Sequence, residues 1–226
     1  MSAPSFRRRT DAIATVVPLL PEQVRPYVGE VLERHPLVVR LARPRRTKLG
    51  DHRPPGRESA VHRISINTDL NPWAFLTTLL HEVAHATAWE RHRDRRRRVR
   101  PHGREWQDAF AGLLEPLVAG ALLPEDVAAA VAVSLARPRA ATCSDRTLLL
   151  ALRRYDEPRP GRVLVEELPP GAIFRLDDGR AFRAGRLLRS RRQCFECRSG
   201  REYRVHGLAQ VEAVSGSVTG PRIGRS

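Results

Sequence analysis

Apolar positions up to about residue 136 recur mainly at helical spacing. Beyond that they fall into short runs between turn signals. Val24, Val28, Val31 and Leu32 share one side of a helix predicted over 21–34. Pro26 argues against an unbroken first turn and moves its start nearer that residue. Residues 37–41 form an apolar strand candidate, and 61–67 alternate as a half-buried strand. Between them, 43–60 are rich in Pro, Gly and Arg and read as loop or edge structure. Asn71 and Pro72 open a long helix, a capping side chain followed by proline in the first helical position. Phe75, Leu76, Leu79, Leu80, Val83 and Ala84 supply its buried side, and the pattern ends between Trp89 and His92. Two further helices are predicted, over about 103–117 with Trp106, Phe110, Leu113 and Leu114, and over 124–136. Residues 1–18 read as a loose arm.

After Arg137-Pro138-Arg139 the pattern becomes β-prone, with runs at 148–152, 163–166, 172–176, 181–183, 203–207 and 211–214. Pro158-Arg159-Pro160-Gly161, Pro169-Pro170-Gly171 and Asp177-Asp178-Gly179 mark turns between several of them. The chain therefore divides into 1–140, a domain of helices with a small sheet, 141–215, a β-rich domain, and a flexible tail at 216–226. The fold class is α+β. No internal repeat is visible.

Composition narrows the picture modestly. Of 226 residues 41% are hydrophobic, enough for a core, and no apolar run approaches the ~20 residues of a membrane span. The N-terminus lacks the long apolar segment of a signal peptide. Three cysteines do not make a disulfide framework. A cytoplasmic protein, nucleoid-associated if it binds DNA, is the economical reading. Net charge is +15, almost entirely from arginine, since Lys48 is the only lysine. Genomic base composition accounts for that excess as well as nucleic-acid binding does.

Chemistry concentrates at His81-Glu82-Val83-Ala84-His85. On a helix the two histidines stand one turn apart on one face, so both imidazoles can reach a single zinc ion. Glu82 is placed to accept a proton from water activated by that metal, the arrangement of a hydrolase and most simply of a peptidase. A third ligand must come from elsewhere. His102 is favoured because it follows a loop and precedes Gly103, which permits close approach of the next helix. His62, His92 and Asp94 are weaker candidates. A structural zinc site, or a chance motif with a merely solvated Glu82, is the bland alternative. Trp106, one turn past His102, reads first as core packing.

The run between these histidines is unusually basic: Arg93, Arg95, Arg96, Arg97, Arg98 and Arg100 lie within eight positions. Guanidinium groups hold phosphates in bidentate fashion, which makes this stretch a nucleic-acid-binding candidate. A solvated, self-repelling loop is the competing explanation.

With these residues placed, the chain resembles the SprT-like metallopeptidase family, whose eukaryotic branch includes the Spartan protease. Three stretches carry the likeness: Thr47-Lys48-Leu49-Gly50-Asp51-His52-Arg53; Ile64-Ser65-Ile66-Asn67 leading through Leu70-Asn71-Pro72 to Leu79-Leu80-His81-Glu82-Val83-Ala84-His85; and His102-Gly103 followed by Trp106. The likeness covers about residues 20–120. It implies a zincin-like metallopeptidase core: an N-terminal helix, a short antiparallel sheet and the metal helix packed behind it. It also implies one catalytic zinc held by His81, His85 and His102, with Glu82 as the catalytic glutamate. Protein substrates are implied, including proteins bound or crosslinked to single-stranded or damaged DNA. A membrane partner is not, and oligomeric state is left open.

The C-terminal domain departs from relatives that carry a zinc ribbon with two cysteine pairs. Only Cys194-Phe195-Glu196-Cys197 and a distant Cys143 are present. A second metal site would need His206 as a fourth ligand at irregular spacing, so unpaired thiols are the simpler expectation. Two functions compete: a zinc endopeptidase, and a nucleic-acid-binding protein whose zinc centre is structural or catalytically quiescent.

Overall fold

Asn71 and Pro72 open the helix that organises the first half of the molecule. The computed structural model describes residues 12–45, 48–93, 100–136 and 146–214. The chain separates into two units, 1–157 and 158–226.

In the first unit, helix α1 (Arg25–Glu33) is preceded by single 3-10 turns at Val17–Leu19 and Glu22–Val24, and Pro26 lies in its first turn. Strands β1 (Leu37–Ala42), β2 (Gly50–Arg53) and β3 (His62–Asn67) follow. Helix α2 (Pro72–His92) comes next, then α3 (Arg104–Ala119), α4 (Glu125–Ala136) and α5 (Arg146–Arg153). Helix α2 is buried along most of its length, from Trp73 to Ala88. The Asn71 side chain accepts hydrogen bonds from the Trp73 and Ala74 amides, satisfying donors the first turn leaves open. Its Nδ2 donates to Leu152 O and to Asp156 Oδ1, tying the start of α2 to the end of α5.

The small sheet has the order β1-β3-β2. Here the antiparallel expectation is corrected to a mixed sheet. β2 runs antiparallel to β3, but β1 runs parallel to it, Leu37 opposite His62 through Ala42 opposite Asn67. β3 takes the central position. Ile64 and Ile66 bury this strand at the centre, and the chain leaving β1 forms the far edge strand β2 before it returns to lie between them.

Two further expectations change. The arm is not loose from residue 12 onward: 12–16 are helical, and Ala12, Val16 and Leu20 are buried in the main core beside Val24 and Val28. The run 148–152 is helix, not strand. Leu148, Ala151 and Leu152 are its buried residues, at helical spacing, and α5 packs on α4 and α2. Helix α5 thus belongs to the unit that ends at Glu157.

The second unit is a six-stranded antiparallel sheet: β4 (Arg162–Leu164), β5 (Ile173–Arg175), β6 (Ala181–Leu187), β7 (Arg191–Glu196), β8 (Glu202–His206) and β9 (Gln210–Ala213), in the order β4-β9-β5-β6-β7-β8. Its own core holds Val165, Phe174, Phe182, Cys194 and Val211. Among the described residues no helix is long and apolar enough to cross a membrane. The whole is an α+β protein.

Candidate metal centre

Helix α2 carries His81 and His85 one turn apart, and the turn ahead of α3 brings His102 to them. His81 Nε2 lies 3.0 Å from His102 Nε2, and His85 Nε2 lies 3.2 Å from it. One nitrogen from each ring falls within 4.8 Å of the others, and this is the sole such metal-competent group among the described residues. Around a tetrahedral zinc with ~2.0–2.1 Å bonds, neighbouring nitrogens stand roughly 3.3 Å apart. The donor set therefore fits such an ion in type and in spacing.

His102 reaches the site at a backbone cost. Its φ is 56°, in the left-handed region that a β-carbon disfavours. The Gly103 amide bonds Arg100 O at 2.9 Å and Gln107 Nε2 donates to His102 O at 3.1 Å, holding this turn in place. Trp106, fully buried, donates from Nε1 to His81 O at 3.3 Å and lies against all three imidazoles. It forms a rigid wall of the site as well as core, with Phe110 stacked behind it.

Electrostatics favour neutral rings. Burial, then the neighbouring His85 and His102, pushes His81 down to about 3. Burial and His102 bring His85 to about 4, and burial lowers His102. At neutral pH all three offer lone pairs to a metal without losing a proton first. Glu82 behaves oppositely: burial and then the Asp51 carboxylate push it up to about 8, against Arg45 and Lys48.

Gly50 is the residue that sequence reasoning missed here. A β-carbon on Gly50 would meet Glu82 Cγ at 2.8 Å, Cδ at 2.9 Å, and Oε1 closer still. Only glycine at this point of β2 leaves room for the carboxyl. The signal was present, a glycine inside the family-like stretch 47–53, but its meaning needed the sheet. The edge is clamped by Arg45, whose guanidinium donates to Asn67 Oδ1 and Ser65 Oγ, while Asn67 Nδ2 donates to Arg45 O and Lys48 O.

The other candidates are not brought to this centre. His62 is wholly buried, with Nδ1 2.8 Å from His52 Nε2, and His92 ends α2 outside the group. Arg93 and Arg100 are exposed on either side of the basic run, whereas Asp94 and Arg95, Arg96, Arg97 and Arg98 lie outside the described residues, as does Cys143. Cys194 is buried and Cys197 exposed, both as free thiols, and His206 Nδ1 accepts from the Leu208 amide.

No curated protein and no solved structure matches the chain. The model of the SprT-like family does match, over residues 40–116, a span holding β2, β3, helix α2 and all three histidines. Within this 226-residue chain, then, residues 40–116 form a SprT-like family domain.

Proposed function

We propose that this protein is a zinc-dependent endopeptidase that hydrolyses peptide bonds in protein substrates. The observation that carries this reading is the convergence of His81, His85 and His102 beside a glutamate seated against the glycine of an edge strand. A zinc ion held by the three imidazoles would supply Lewis acidity toward a carbonyl oxygen and toward water. Glu82 takes the proton of the attacking water and returns it to the departing amine. Its buried position, which favours the protonated form, suits the second half of that cycle. Among the described residues β2 pairs only with β3, so its outer edge is open to an extended polypeptide lying beside Glu82.

Proteins bound to DNA are the proposed substrate class. The support is the family likeness together with exposed Arg93, which caps the end of α2, and exposed Arg100, two positions before His102. The competing reading, a nucleic-acid-binding protein with a quiescent zinc centre, predicts the same metal and no cleavage. Glu82→Gln separates them. The variant is expected to keep its fold and one zinc while losing at least about 10²-fold in cleavage of an unfolded or DNA-bound protein, assayed with and without single-stranded DNA. Equal cleavage by variant and wild type would defeat the assignment.

A further inference from the structure

The plane of the His85 ring is set by its neighbours. A metal-binding histidine almost always donates its second ring N–H to a carboxylate, a carbonyl or water. Among the described residues His85 makes a single hydrogen-bond contact, Nε2 to His102 Nε2, and no protein group takes up Nδ1. It is also less buried than His81. Two rings lie against it. Trp106 is 5.5 Å away at 38°, and His52 of β2 is 5.8 Å away and nearly parallel, at 8°.

His52 is itself braced from behind. Its Nε2 lies 2.8 Å from His62 Nδ1, and the two rings stack at 5.0 Å. His62, wholly buried on β3, turns Nε2 toward Glu90 Oε1 across 3.5 Å, longer than a hydrogen bond but close enough to feel the charge. The other oxygen of Glu90 lies 2.5 Å from His35 Nδ1, and His35 Nε2 is 3.1 Å from Thr87 Oγ1. Trp89 packs edge-on against His62. A carboxylate facing His62 Nε2 favours the tautomer with the proton there. Nδ1 is then the acceptor for the Nε2–H of His52. The array fixes both the position and the face of the His52 ring.

We propose that His52 is a positioning residue for His85, fixing the plane of that ring by stacking, with His62 and Glu90 holding His52 in register. The proposal rests on the metal-centre reading above.

The test measures zinc affinity of the full chain by chelator competition, with the visible spectrum of the Co²⁺-loaded protein as a second readout. His52→Ala is expected to weaken zinc binding about 10-fold to 100-fold and to alter the Co²⁺ bands. His52→Phe, which restores a stacked ring, should recover most of that loss. Wild-type affinity and spectrum in a folded His52→Ala protein would overturn the proposal, as would a His52→Phe protein no better than alanine. Should alanine prevent folding, His52→Phe is compared with His52→Gln, which keeps a donor for His62 but no ring. Tighter binding by Phe supports stacking, and equal or tighter binding by Gln refutes it. His81→Ala separates the two levels: if it too leaves zinc affinity unchanged, the metal centre itself is wrong, whereas loss there with no change at His52 removes only the positioning role.

Discussion

Gly50 and Glu82 depend on each other at the scale of single atoms. Gly50→Ala drives a β-carbon into the glutamate side chain, which must move. Zinc content is expected to stay at one per chain while kcat/KM falls about 10²-fold, the scale of a ~1 Å misplacement; unchanged turnover would show that Glu82 has slack. Protonation makes a second prediction, for the metal-free protein. Glu82 is raised from 4.5 to about 8, so its contribution to stability is complete below pH 4.5 and is lost as pH rises through 8. His81 and His85 are depressed from 6.5 to about 3 and 4, so theirs is complete above pH 6.5 and lost as pH falls through those values. Metal-free stability should therefore peak near pH 6.5. It should drop by roughly 2 kcal/mol toward pH 8, as the advantage of the protonated Glu82 in the fold is lost. Urea unfolding in chelator at the two pH values checks this. Glu82→Gln should flatten the decline, and a decline that survives the substitution would assign it to another group.

Among the elements, α2 bears most of the design. Asn71→Ala removes its cap, one link to α5 and one to Asp156 just beyond it. A loss of ~1–3 kcal/mol is expected in thermal or urea unfolding. Asn71→Asp keeps the cap acceptor but faces Asp156 with a second carboxylate, so it should fall between alanine and wild type. The same element was the most legible in the sequence, because cap, proline and apolar face agree. Helix α5 was not: Leu148-Leu149-Leu150-Ala151-Leu152 has no polar interruption, so its period cannot be told from a strand's. Strand β7 escaped for the opposite reason. Arg192, almost fully buried and bonded through its guanidinium to Leu168 O, occupies a core-facing position, and an arginine there breaks the expected alternation. The partnership of His52 with His85 was equally invisible, since residues 33 positions apart meet only once β2 lies along α2.

For the whole molecule, the three histidines, Glu82, Gly50 and the His52 array all belong to the unit ending at Glu157. A chain stopped there is expected to bind one zinc with the affinity of the full protein; a large loss would give residues 158–226 a part in the centre. The family was legible because three separated stretches agree in order and spacing, whereas the extent of the first unit was not, since the apolar run of α5 reads equally well as a strand of the β-rich portion. One feature of the backbone bears on how an ion would leave. His81 and His85 ride a continuous helix whose peptide geometry is relaxed, whereas the third imidazole is delivered from a residue at φ 56°. Returning that residue to an ordinary conformation recovers roughly 1–2 kcal/mol. Were an ion held by these three imidazoles, His102 would be the arm expected to let go first, with the helical pair the last to release it.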